Sequence, residues 1–160
     1  MADTLDVLTL NEAKRALRIT LTDTEEDDVL VRYITATSRL IDSRIGPVVA
    51  RTVTGEVHDG YCYTIVLRKR PVMSIASFLE YTGTTPLTLT QMTATSQPAD
   101  GYRLDPYEPI PGLYSGIVHR TSQRYGGRFA YGWQNIVCTY TAGRVASPTA
   151  VDSRVKQAAT

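Results

Sequence analysis

The sequence predicts an α+β fold: an N-terminal helical hairpin or bundle, a small antiparallel β-sheet with a long loop or hairpin, and a short C-terminal helix. Three observations lead there. Apolar residues recur at helical spacing up to Gly46. From Pro47 the pattern alternates in twos. Near the end, Ser147-Pro148 starts a new helical stretch. With 160 residues the chain suits one compact domain with a modest core. Its parts are a helical region 1–46, a β-rich region 47–146 and a C-terminal helix 147–160.

The first helix starts at a capping box. Thr9 stands three residues before Glu12, so each can satisfy a backbone N–H of the other. Leu10, Ala13 and Leu17 follow on one face. Thr22 and Glu25 have the same spacing and predict a second box. Glu25, Glu26, Asp27 and Asp28 crowd the next helix's first turn, where the helix dipole favours negative charge. Leu30, Tyr33, Ile34, Thr37, Ile41 and Ile45 then form a stripe over about five turns. Arg39 and Arg44 lie toward the dipole's negative end. Gly46-Pro47 is a sharp stop.

Past Pro47, residues Val48 to Val57 are rich in Val and Thr. Tyr61, Tyr63, Ile65 and Leu67 alternate with Cys62, Thr64, Val66 and Arg68. Met73, Ile75, Leu79 and Tyr81 alternate with Ser74, Ala76, Phe78 and Glu80. Asp59-Gly60, Arg70-Pro71 and Thr82-Gly83 are turn signals between these runs. Leu87 to Leu89, Tyr102 to Leu104, Tyr114 to His119 and Ile136 to Tyr140 complete the expected strands.

Between about 105 and 133 the composition changes. Pro106, Pro109, Pro111 and several glycines interleave with Tyr107, Tyr114, Tyr125, Phe129 and Tyr131. Gly and Pro break regular structure, while aromatic rings favour burial. The stretch is expected to be a long loop or hairpin that contacts something else. Tyr125, Phe129 and Tyr131 are expected to lie exposed in the isolated chain. In the last segment, Ser147 is a good N-cap and Pro148 suits the first helical position. Val151, Val155, Ala158 and Ala159 share one side. So short a helix is marginal alone and calls for a partner surface.

Searching for chemistry returns ordinary residues. His58 and His119 stand apart in strand-like runs. HExxH, GxSxG, a phosphate-binding Gly-Lys-Ser/Thr loop and an EF-hand pattern are all missing from the sequence. These absences predict a protein that is not an enzyme, with no cofactor, catalytic residue or metal site. Cys62 and Cys138 read as reduced thiols in strands; a disulfide or half of a metal site has no supporting ligands nearby. A net charge of +1 gives little support for tight phosphate binding. Residues 1–46 carry −3 and residues 47–160 carry +4, a polarity that suits stacking of copies. Glu25 and Glu26 are candidate inter-subunit partners of the basic triplet Arg68, Lys69 and Arg70, which otherwise reads as a solvated strand end. With no apolar run of membrane length and no secretory pattern at the start, folding in a host cytosol is expected.

Both ends resemble the head–tail connector (adaptor) family of tailed double-stranded DNA bacteriophages. Leu10, Ala13, Lys14 and Leu17 match the family's first helix. Asp27, Leu30, Ile34, Ala36, Ile41, Ile45 and Gly46 match its long helix, which ends in Ile-Asp-x-x-Ile-Gly. Tyr140, Thr141, Ala142, Gly143 and Pro148 match its last strand, turn and final helix. The middle, about 48 to 132, is similar only in being β-rich. The resemblance implies a virion neck protein made in the bacterial cytoplasm. It implies a ring, usually of twelve copies, docked on the portal protein and joining the DNA-filled head to a stopper or tail protein. Contact with genomic DNA in the bore is then transient and non-specific.

On that reading Pro148, Val151, Arg154, Val155 and Ala158 would hold the portal, and Asp at Val151 and Val155 would abolish head binding while leaving the monomer folded. Two alternatives stay open. One is another virion assembly subunit, such as a tail terminator or neck protein. The other is a small ligand-binding domain or enzyme, which would need a cleft with converging polar groups.

Overall fold

A computed structural model of the chain describes residues 5–121 and 126–159. Its elements are three helices, α1 (Leu10–Ala16), α2 (Asp27–Ile45) and α3 (Ser153–Ala158), with a 3₁₀ turn at Pro148–Ala150. Eight strands run in chain order: β1 (Arg51–His58), β2 (Thr64–Val66), β3 (Val72–Thr82), β4 (Thr85–Thr88), β5 (Thr90–Gln91), β6 (Gly101–Pro106), β7 (Tyr114–Arg120) and β8 (Ile136–Ala142). The α+β class is as the sequence predicts. The chain gathers into two units, one made of Met1–Arg51 with Gly143–Thr160, the other of Thr52–Ala142.

In the first unit the Thr9 box forms. Thr9 N–H donates to Glu12 Oε2 at 2.9 Å, and Glu12 N–H donates to Thr9 Oγ1 at 3.3 Å. The Thr22–Glu25 box does not. The α2 cap is Glu26 without a side-chain bond, and Asp23 Oδ1 accepts from Glu25 N–H at 3.2 Å instead. The turn there is held from α1: buried Lys14 pairs with Asp27 and donates to Asp23 O. A lysine in the first helix thus ties α1 to the start of α2.

Along α2 the covered stripe is centred on Ile34, Ser38 and Ile41, and Tyr33 (68% exposed) and Ile45 (47%) turn outward. Ser38 Oγ accepts from Val7 N–H at 2.9 Å, so a polar residue on the buried face is satisfied. Gly46, at φ 81°, ends the helix, and Arg144 donates twice to the Ile45 carbonyl.

The C-terminal segment differs from the expected single helix. Val151 is extended (φ −68°, ψ 134°) and splits it into the 3₁₀ turn and α3. Asp152, not Ser147, caps α3 by accepting from Arg154 N–H at 2.8 Å. The break lets Val151 enter a cluster with Val7, Val48 and Val49, against which Ile41, Val145 and Val155 also pack. Val151 is only 6% exposed. Val151 is therefore covered by its own unit and is not free to face a portal as expected, while Val155 is only partly covered there. Arg154 and Ala158 are exposed and Pro148 is half-buried.

The second unit is an eight-stranded, mostly antiparallel sheet ordered β1-β8-β3-β7-β6-β5, with β2 on β7 and β4 on β3. Only β5–β6 pairs in parallel among the described ladders. β2 is shorter than alternation from Tyr61 predicts, because Tyr61 sits at φ 61° and cannot extend the strand. Phe78, Leu67, Val118, Ile136, Cys138, Tyr140 and Phe129 fill the core at 1% exposure or less. Cys62 and Cys138 are free thiols. Burial pushes the Cys138 thiol up to about 12, with the Glu56 carboxylate adding to the rise.

Two buried carboxylates organise this core. Glu80 on β3 and Arg120 on β7, both with fully covered side chains, pair at 2.9 Å. Arg120 also reaches Asp100 at 3.1 Å and Gly101 O at 2.9 Å, while Glu80 Oε1 accepts from Ala130 N–H at 2.7 Å. The pair thus anchors the segment after residue 126 to the sheet.

Glu56 on β1 accepts from Arg68 N–H (2.9 Å), Tyr140 Oη (2.8 Å) and His58 Nε2 (2.7 Å). Burial alone would raise its carboxyl. The three hydrogen bonds outweigh burial and hold it below the usual carboxylate value. Its stabilising share is then complete above about pH 4.3, the unfolded value, and is lost as pH falls through the lower folded value. Urea unfolding from pH 7 down to 3 should show Glu56→Gln less stable at neutrality and less sensitive to acid than the wild type. Parallel pH curves for the two proteins would contradict this.

Candidate interaction surface

The sequence brings aromatic residues to the Arg120 end of β7 by two backbone segments laced together, 59–62 and 129–135. Gly60 N–H donates to Gly132 O at 2.9 Å. Tyr61 N–H is shared between Phe129 O (3.2 Å) and Ala130 O (3.1 Å), and Phe129 N–H returns to Cys62 O at 2.9 Å. Gln134 N–H donates to Asp59 Oδ1 at 2.7 Å. Position 60 must be glycine, because a Cβ there would come within 1.8 Å of Ala130 O.

This lacing leaves four rings outside. Tyr61, Tyr63, Tyr131 and Trp133 are 61%, 55%, 78% and 82% exposed. Tyr61 and Tyr131 meet edge to face at 5.7 Å. The Arg128 guanidinium lies 4.6 Å from the Tyr63 ring centre and 5.1 Å from that of Tyr61. Cation–π attraction therefore fixes a positive charge within an aromatic cleft of about 410 Å³. Large rings with backbones this well tied, yet uncovered, make this face the candidate interaction surface.

The same fold occurs in a particle neck. In a solved structure described as the neck of an empty GTA particle computed with C6 symmetry, one chain matches with a TM-score of 0.62 and 19% identity. The match covers 96% of this chain and 73% of the neck chain. No protein-family model matches the chain, and no curated protein matches it in sequence. At this identity the likeness to the GTA neck chain is one of fold.

The interface residues expected from sequence do not gather in one place. Phe129 is a correction. It is 1% exposed and stacks on Phe78 at 5.9 Å, which itself stacks on Tyr102 at 5.0 Å, so it belongs to the core and not to an exposed loop. Tyr131 is exposed as expected, and Tyr125 lies outside the described residues. Tyr107 and Tyr114 are half-buried at the opposite end of β7, Tyr114 against the core. Tyr61, Tyr63, Arg128 and Trp133 carry no local signal of an interface in the sequence. Alternation assigns Tyr61 and Tyr63 to a strand face, and only Asp59-Gly60 before them hints at the turn that frees Tyr61.

Arg68, Lys69 and Arg70 have exposed side chains on a fixed backbone. Arg68 N–H binds Glu56, Lys69 N–H donates to Tyr140 Oη at 3.0 Å, and Leu67 N–H donates to Gly116 O at 2.9 Å. Glu25 and Glu26 are exposed in the first unit. That unit also holds an apolar groove of about 250 Å³ between α1 and α2, where Leu17, Leu30, Tyr33 and Ala159 line the walls.

One histidine ties strands together and the other pairs within its own strand. His119 bridges Thr64 Oγ1 (3.2 Å) and Asp105 Oδ2 (2.8 Å), linking β2, β7 and β6, and His58 pairs with Glu56. Among the described residues, no group of three or more His, Cys, Asp or Glu is placed to hold a metal ion. No described helix is long and apolar enough to cross a membrane.

Proposed function

We propose that this chain is a structural, non-enzymatic subunit of the neck of a tailed-phage-like particle. In that role it acts as a head–tail adaptor, a ring docked on the portal that joins the DNA-filled head to a stopper or tail protein. The observation that carries this reading is the fold match to the GTA neck chain over nearly the whole sequence. The helical patterns at both ends, shared with head–tail adaptors, support the adaptor assignment over other neck roles. A ring of twelve copies is compatible with the sixfold symmetry of that neck. Exposed rings on the sheet unit and the apolar groove on the helical unit supply surfaces for neighbours. Portal contact falls to the outward side of the last segment, Arg154 and Ala158, because Val151 is inside its own unit.

The test is to mix the purified chain with portal-bearing, DNA-filled heads, sediment them, and image the pellet by cryo-EM. A ring of this chain beneath the portal is expected. Recovery of the chain only in the supernatant, or on tail ends alone, would remove the adaptor assignment.

A further inference from the structure

The two ends of the β6–β7 hairpin carry matching chemistry. At one end is the tip, residues 107–113, closed by Tyr107 N–H to Leu113 O at 2.8 Å and Ile110 N–H to Tyr107 O at 3.0 Å. Leu113 is buried and anchors it, while Glu108, Pro109 and Pro111 are exposed. At the other end, Arg120 N–H donates to Tyr63 O at 3.1 Å and joins β7 to the aromatic cleft. Pro106 pairs with Tyr114, and Tyr102 with Arg120, so the strands run from tip to cleft. Six residue steps of about 3.3 Å separate these ends by roughly 20 Å, and a tip fixed at one end cannot reach the cleft at the other.

We propose that the aromatic cleft of one copy receives the Glu108–Pro111 tip of a second copy, with Glu108 meeting Arg128. Proline rings suit this cleft. They are apolar, have no N–H to desolvate, and lose little freedom on binding. Aromatic-lined grooves are a recurring receptor for exposed prolines. The charges are complementary, and Arg128 is already oriented by Tyr61 and Tyr63, which lowers the cost of ordering it. Donor tip and receiving cleft are different surfaces at opposite ends of one sheet, so the contact is head-to-tail. Such a contact closes into a ring or propagates, depending on the rotation between copies. Closure into a ring rests on the neck reading; the contact itself does not.

Sedimentation velocity of the full chain, from micromolar to millimolar concentration, tests it. Growth beyond dimers is expected. Tyr131→Ala and Arg128→Glu in the cleft and Glu108→Arg at the tip should each weaken association roughly tenfold or more. An equimolar mixture of the Arg128→Glu and Glu108→Arg proteins restores both contacts between unlike copies, one native and one charge-reversed, and should grow again with the two proteins alternating. The double variant should grow again like the wild type. A wild type that stays monomeric at millimolar concentration, a closed dimer that does not grow, or indifference to Arg128→Glu would each overturn the proposal. Portal binding is scored separately on the same proteins. Self-association without portal binding would keep this contact and remove the neck reading.

Discussion

Glu80→Ala should destabilise the sheet unit by about 3–5 kcal/mol, the usual cost of removing one partner of a buried ion pair. The reason is what stays behind. Among the described residues Arg120 keeps Asp100, itself partly exposed, as an anionic partner while it stays fully covered, and Ala130 N–H loses its acceptor. Most of the cost is the stranded charge and donor, not the lost attraction. A double replacement of Glu80 and Arg120 by apolar residues of similar volume should therefore recover much of the loss, although Ala130 N–H stays unpaired. Urea unfolding of the single and double variants checks both statements. The aromatic surface should respond too, because Ala130 holds the segment that presents Tyr131 and Trp133. If Glu80→Ala costs less than about 1 kcal/mol, as a solvent-screened pair would, the pair is not the anchor it looks to be.

Val151→Asp should unfold the helical unit or destabilise it by several kcal/mol, before any question of head binding arises. Val151 packs on Val7, Val48 and Val49, and a carboxylate there has only apolar neighbours in that cluster. Loss of the valine's own burial adds about 1.5–3 kcal/mol. Arg154→Ala, at an exposed position, should leave stability within about 0.5 kcal/mol of the wild type. Comparing the two by circular dichroism melting and head sedimentation separates folding from docking. A Val151→Asp chain with wild-type stability would show that the cluster is not formed as described.

The contrast between these sites marks what was legible in the sequence. Thr9–Glu12, the α2 stripe ending at Gly46, and the strand runs are local patterns, and local patterns suffice to place α1, α2 and most of the strands. Thr22–Glu25 has the same spacing as Thr9–Glu12 yet forms no box, because Lys14 from the preceding helix captures the turn at Asp23 and Asp27. Phe129 and Tyr131 are two residues apart in one Gly-rich stretch. Which of them is buried depends on Glu80, forty-nine residues before Phe129, taking the Ala130 N–H, and no window around 129 contains that information. Tyr61 and Tyr63 fit an alternating strand on paper. Tyr61 leaves that alternation because its N–H bonds Phe129 O and Ala130 O, partners that no window around 61 contains. The helical face of Val151 and Val155 was visible as a stripe, but the break at Val151 that folds it inward depends on partners at the far end of the chain.

That dependence sets an order of synthesis. The sheet unit, Thr52–Ala142, is an insertion between the two pieces of the helical unit. Val7, Val48 and Val49 leave the ribosome early, but their cluster is not complete until Val151 emerges about a hundred residues later. The sheet waits for its interior strand β8, which ends at Ala142, and the amino-terminal helices wait for the carboxyl-terminal segment that follows it, so both units close late. Premature termination just before Val151 would release a finished sheet attached to an unfinished bundle.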